Sequence, residues 1–274
     1  MIVTKTVLVT GGGRGLGRVA AEKLAAGGNR VILVARTRHP PGLPSPRSSS
    51  AIRASGSRRG RWTCPHSDVR AFATTEAERG EPIDVLFHIG GVMQTSKNRR
   101  VTIDGYVETL AVIVLAPFLL TALLQPALAR SESARVVAVS SRLHLPGSRG
   151  ESVDFDFDDP QLERGYNPDR AYKNSELAVL WFTYELQRRL ALGPVTANAV
   201  CPGFVPTTAA ASTTGFMRLV MSYVMPHMPF AASVDEATDG LVFMAVDPSL
   251  EGVGGKFFGE RHPIESSPQS LDAD

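Results

Sequence analysis

The run KTVLVT (5–10) leads directly into Thr10-Gly11-Gly12-Gly13-Arg14-Gly15-Leu16-Gly17, and a stretch of alanine and leucine character follows. The order is strand, glycine-rich turn, helix. Bare glycines in such a turn let the backbone approach a pyrophosphate, and the first N–H groups of the helix face it with a partial positive charge. A glycine-rich turn alone is a weak signal; set between a strand and a helix it points to a nucleotide. Outward from this point, strand-like runs recur at RVILVA (30–35), IDVLFHIG (83–90), ARVVAVS (134–140) and VTANAV (195–200), with helical stretches between them. Apolar strands alternating with helices predict a parallel sheet covered on both faces.

The chain has 274 residues, 43% hydrophobic and 20% charged, which suits one α/β domain with a substantial core. A net charge of +2 makes no general case for nucleic acid as a partner. Cys64 and Cys201 are too few for a disulfide scaffold and fit a reducing compartment. MIVTKTVLVT starts as a strand, not as a basic segment followed by an apolar one, so a cytoplasmic protein is expected. Residues 109–129 carry no charge and have the length of a membrane span, but Pro117, Gln125 and Pro126 interrupt them. A buried helix, part of a subunit interface, is expected there and no membrane partner.

Residues 37–67 differ from the rest. They hold six Arg, five Pro and no acidic residue, leaving 23 basic against 27 acidic residues elsewhere. By composition this is a mobile basic loop or insert, at a place where a crossover helix and a third strand belong. An anion-binding arm and a locally scrambled segment are the other readings. The domain is expected to span 1–258, with 259–274 a flexible polar tail.

The glycine spacing is T-G-x-x-x-G-x-G, which resembles the short-chain dehydrogenase/reductase family. LFHIGGVM (86–93) resembles its Asn-Asn-Ala-Gly segment, and VVAVSS (136–141) the strand that delivers its catalytic serine. DFDDPQLERGYNPDRAYKNSELA (156–178) resembles the approach to its Tyr-x-x-x-Lys helix, most like the retinol-dehydrogenase-like branch, and CPGFVPTT (201–208) its Pro-Gly motif. The resemblance covers nearly the whole chain outside 37–67. It implies a Rossmann-type, doubly wound parallel sheet in a single domain, a homodimer or homotetramer, a small-molecule substrate and no metal. It also assigns roles. Ser141 holds the substrate oxygen and Tyr172 gives or takes its proton. Gly11, Arg14, Gly15, Leu16 and Gly17 cradle the pyrophosphate, Gly90 lies beside them, and Pro202, Gly203 and Thr207 meet the nicotinamide. The second strand ends in Ala35-Arg36 with no acid to hold a ribose 2′-hydroxyl; Arg14 and Arg36 suit a 2′-phosphate, so the cofactor implied is NADP(H).

The departures from the family pattern carry as much information. Tyr172 is followed four residues later by Glu176 where the family has lysine. A carboxylate one helical turn away disfavours phenolate, so it raises the Tyr172 pKa. Lys173 points away from that face. Ile113 stands where the family's helix asparagine holds a water of the proton relay. Trp62 or Thr63 stands where an acid reads adenine, and His88 begins the segment matching Asn-Asn-Ala-Gly. Three functions follow from this mixture. The first is a redox-silent enzyme, with Tyr172 as acid, Ser141 as hydrogen-bond partner and Glu176 in the same pocket. It would cyclise, dehydrate or isomerise a bulky apolar carbonyl compound, such as a secondary metabolite. The second is a weak NADP(H)-dependent carbonyl reductase. The third is a non-catalytic binding protein. Phe216, Met217, Met221, Tyr223, Met225, Met228 and Phe230 suit an apolar substrate.

Overall fold

A computed structural model describes residues 4–35, 52–53, 66–94, 96–147, 149–190, 193–206, 220–228 and 231–272. Eight strands form one sheet: β1 Thr6–Thr10, β2 Arg30–Ala35, β3 Ile52–Arg53, β4 Val85–His88, β5 Ala134–Val139, β6 Val195–Cys201, β7 Phe257–Gly259 and β8 His262–Ile264. Their spatial order is β3-β2-β1-β4-β5-β6-β7-β8; every neighbouring pair is parallel except β7 with β8. The helices are α1 Gly15–Ala26, α2 His66–Glu78, α3 Glu108–Leu128, α4 Pro168–Leu190, α5 Val234–Val246 and α6 Pro268–Leu271. This is the doubly wound, single-domain architecture the strand pattern predicts.

Alternation along each strand sorts the core into two layers. Leu8, Leu86 and Val136 turn to one face, against Val69 and Phe72 of α2 and Leu120 and Leu124 of α3. Val7, Val9, Phe87 and Val137 turn to the other, against Leu24 of α1 and Leu241 and Met244 of α5. The chain winds outward from β1 in one direction and from β4 in the other. Loops leaving these two neighbours part at the sheet's C-terminal edge and form a crevice, the usual ligand position of such sheets. Gly11 and Gly90 line it back to back. A Cβ on Gly11 would lie 2.5 Å from the Gly90 backbone, and the Gly11 φ of +75° itself favours glycine.

α3 has the length and apolarity of a membrane span, yet its inner face is core: Ala116, Leu120, Leu124 and Leu128 are buried. Its outer face carries Phe118, 57% exposed, whose ring meets Phe182 of α4 edge-on. One π-helical turn, Ala111–Leu115, interrupts it and places Ile113 beneath the sheet's C-terminal edge.

Two expectations change. Within the basic segment, Ile52–Arg53 form the edge strand paired with Val34 and Ala35, and α2 starts at His66. The remainder, with Cys64, lies outside the described residues. The expected flexible tail is folded through residue 272. β8 pairs with β7, the Tyr184 hydroxyl lies 2.8 Å from Ser266 Oγ, and the Trp181 indole donates to the Gln269 carbonyl at 3.0 Å. Hydrogen bonds to α4 hold this segment, so its polar composition misleads.

Candidate active site

Three elements meet at the C-terminal edge of β5. The strand is buried along its length and delivers Ser140 and Ser141. Ser141 caps the short turn Arg142–His144: its Oγ accepts the Leu143 N–H at 3.2 Å. The buried His144 ring donates from Nδ1 to the Ser141 carbonyl and packs edge-on against Phe257. With Leu143 on its oxygen, the Ser141 hydroxyl is free to donate outward.

α4 starts cleanly because Asn167 Oδ1 accepts the N–H groups of Asp169 and Arg170 and Pro168 has no N–H to satisfy. Tyr172 and Glu176 then stand one turn apart on a single face. The Tyr172 hydroxyl lies close to Ser141 and to the Glu176 carboxyl, near enough for both to act on its ionisation. Glu176 is 4% exposed; the Ser141 backbone lies near its carboxyl, and Ser140 Oγ donates to its backbone carbonyl at 3.1 Å. Its Oε2 is buried with no partner among the described residues.

The electrostatics follow from burial. Burial pushes the Glu176 carboxyl up to about 7, against the pull of its hydrogen bonds. The Tyr172 phenol is raised well above its usual value, by burial first and by Glu176 second. Ile113, 4% exposed, packs with Ala138, Val179, Val114 and the Tyr172 ring, so no water-holding amide lies under the phenol. The sequence-based expectation of a protonated tyrosine agrees with this geometry.

The phosphate end is built differently. A Cβ on Gly17 would lie 2.4 Å from the Gly11 carbonyl oxygen, and one on Gly13 would lie 2.9 Å from the Ala35 side chain. The turn therefore presents bare backbone to the crevice. α1 opens at Arg14 with no side-chain cap and no acid in its first turn, so among the described residues its first N–H groups have no anionic partner. Arg14 is exposed, and Leu16 packs on the core. An uncapped twelve-residue helix behind a glycine turn fits a pyrophosphate. Glu176 stands where the family has lysine; a carboxyl there would accept from ribose hydroxyls where lysine would donate, a change in kind. Gly203, at φ +80°, follows Pro202 beyond β6. Thr207, Arg36, Trp62, Thr63, Phe216, Met217 and Phe230 lie outside the described residues. Among the described residues no three His, Cys, Asp or Glu side chains gather as metal ligands.

Two supports were not visible in the sequence. Ser140 steadies Glu176, and a network of Gln94, Arg100 and Glu108 ties the loop after β4 to the start of α3: Gln94 donates to the buried Glu108 carboxylate, and Arg100 Nε lies 3.2 Å from it. The first joins residues distant in sequence; the second lies within the connection from β4 to α3.

His88 is a core residue. Thr121 Oγ1 donates to the Pro117 carbonyl, so it accepts from His88 Nε2 at 2.9 Å, leaving Nδ1 without a proton or a partner. Burial lowers its pKa to about 3. Folded pKa below unfolded pKa means stability present above about pH 6.5 and lost as the pH falls toward 3, up to about 5 kcal/mol across that window. Urea denaturation at pH 7 and pH 4 should show this loss, and His88→Asn should flatten it. An unchanged acid slope in the variant would remove His88 from this role.

The comparisons agree with the architecture. The family model for short chain dehydrogenase matches residues 5–153. Human retinol dehydrogenase 14 is 32% identical over 98% of this chain and 82% of its own length. Mouse polyprenol dehydrogenase is 34% identical, covering 96% of this chain and 77% of its own. A short chain dehydrogenase of Escherichia coli CFT073, solved in complex with NADPH, shares the fold with a TM-score of 0.63 at 20% identity, over 95% of this chain and 98% of that one. Motifs, sheet order and relatives agree: the chain belongs to the short-chain dehydrogenase family, as a retinol-dehydrogenase-like member.

Proposed function

We propose that this chain is a reductase that adds hydride and a proton across the polar double bond of a bulky, apolar small molecule, a carbonyl compound in the simplest case. The observation that carries it is the Tyr172 hydroxyl set between Ser141 and a buried carboxyl, beside an uncapped glycine turn. A phenol kept protonated is present as a proton donor at neutral pH and abstracts poorly, so the site suits reduction over alcohol oxidation. Ser141 orients the acceptor oxygen. Tyr172 gives its proton to that oxygen, and Glu176, titrating near 7, restores it. Gly11, Gly15, Gly17 and the start of α1 would hold the pyrophosphate, with Arg14 near the 2′-phosphate of NADP(H). When bound, the nicotinamide supplies the hydride. The retinol and polyprenol dehydrogenases among the relatives support an apolar substrate. Phe118 and Phe182 on neighbouring helices support a homo-oligomeric contact.

A second reading, hydride-free acid–base chemistry in the same pocket, is favoured by Glu176 and Ile113 standing in for lysine and asparagine. Calorimetric titration with NADPH and then NADH separates the two. Micromolar NADPH binding is expected. With a reducible substrate, Tyr172→Phe should lower turnover by about two to four decades while leaving NADPH affinity within a few fold. No binding at millimolar cofactor would overturn the reductase and leave the hydride-free reading.

A further inference from the structure

We propose that the charge arrangement around Tyr172 fits the site to a C=N acceptor, an imine reacting as its protonated iminium on a bulky apolar frame, in preference to the matching ketone. This rests on the reductase reading and deepens it.

The argument is one of sign. Adding hydride to a ketone builds negative charge on oxygen, and a cation beside the proton donor lowers that barrier. Here the group one turn below the donor is a carboxyl. Among the described residues, the side chains grouped with Tyr172 are Ser141, Ile113, Ala138, Val179, Val114 and Cys201, none of them cationic. Arg142, next in sequence to Ser141, has its guanidinium against Gly259 at the end of β7. An ionised Glu176 therefore opposes an oxyanion at the Tyr172 hydroxyl and favours a cation there. An iminium is such a cation, and the carboxylate raises the fraction of bound imine that is protonated. A buried charge one hydrogen bond from the reacting atom acts with little screening.

The step balances. Tyr172 protonates the imine nitrogen and recovers a proton from Glu176, leaving iminium and carboxylate paired across the phenol. Hydride from the reduced nicotinamide, the co-reductant, forms the new C–H bond at the imine carbon. The C=N π pair becomes the lone pair of the amine nitrogen, and the nicotinamide is oxidised. Imine, reduced nicotinamide and one proton give amine and oxidised nicotinamide.

The test has two arms on the purified protein. In the first, kcat/KM is compared for a phenyl pyrroline and its isosteric ketone, phenylcyclopentanone, with NADPH. In the second, calorimetry compares binding of the product amine, phenylpyrrolidine, with phenylcyclopentanol, without turnover. The imine should be favoured about tenfold or more, and at about pH 8 the amine should bind about tenfold or more tighter than the alcohol. The amine's advantage should shrink below about pH 6, as Glu176 protonates, and vanish in Glu176→Gln. Other titratable or charged groups on the packed elements include Tyr172 on α4, where Lys173 pairs with Asp169, Arg135 on β5, bonded to the Ala245 carbonyl, His144 in the turn after β5, Cys201 on β6 and Glu108 on α3, the last paired with Arg100. An amine advantage that persists in Glu176→Gln overturns the proposal. Ketone preferred over imine also overturns it, with the reductase reading intact. Neither compound reduced and no NADPH binding overturns the reductase reading, and the C=N step with it.

Discussion

Glu176→Lys combined with Ile113→Asn should raise alcohol oxidation by about a hundredfold or more at about pH 8, measured as NADPH formation from a bulky secondary alcohol. Oxidation needs Tyr172 to accept a proton. In the native site its phenol is raised well above the usual value by burial and by the carboxyl beneath it. An ammonium in place of the carboxyl reverses the second cause and relieves the first, so the phenolate becomes accessible at ordinary pH. Both changes are needed because the ground around Tyr172 is apolar: Ile113 packs there with Ala138 and Val179. A lysine entering that cluster alone meets no partner and loses its own charge to burial. Asparagine brings the amide that a water or an ammonium can bond. The π-helical turn at Ala111–Leu115 already points this position at the phenol, so the backbone needs no rebuilding. The double variant no more active than the native chain would show that Tyr172 ionisation does not limit the site.

Glu176→Gln should make the protein more stable at about pH 8 by about 3 kcal/mol and change little at about pH 4.5, read from urea midpoints at the two pH values. The sign follows from linkage. Burial raises the folded pKa from the usual 4.5 to about 7, so the folded chain holds the proton more tightly than the unfolded one. Stability is therefore fully present below about pH 4.5 and is lost as the pH rises through about 7. Glutamine keeps the shape and accepts hydrogen bonds without the charge. It cannot restore a proton to Tyr172, so turnover should fall as stability rises, a familiar opposition at a functional site. Equal stabilities at pH 8 would mean that Glu176 reaches water and does not hold its proton. The His88 effect acts in the opposite direction, over the window below about pH 6.5.

Much of this was legible in the residues. The run KTVLVT and its glycines place β1, the turn and α1, because period and punctuation are local properties. The family resemblance grouped Ser141 with Tyr172, and helical spacing set Glu176 one turn from Tyr172. What was not legible depends on pairing across the fold. The edge strand Ile52–Arg53 is two residues long, too short for any alternation to show. The support of Glu176 by Ser140 joins a strand end and a helix that only the fold brings together, and that of Glu108 by Gln94 and Arg100 depends on how one irregular connection turns back on itself. The unprotonated state of His88 rests on a threonine one helix away whose proton is already spent on Pro117. The last residues looked frayed because their contacts are hydrogen bonds to α4, and composition does not record those.

That segment bears on the chain while it is being made. β8 and α6 follow β7 in the chain, and they close the outer face of the helix that carries Tyr172. Until they arrive, β7 is an open edge of two buried phenylalanines, Phe257 and Phe258, able to pair with any other strand nearby. β8 replaces that edge with a short, exposed one interrupted by Pro263, a poor template for further pairing. While it is being made, the protein is thus exposed to aggregation through β7 until residues 262–264 pair with it, and that short strand then stops the edge.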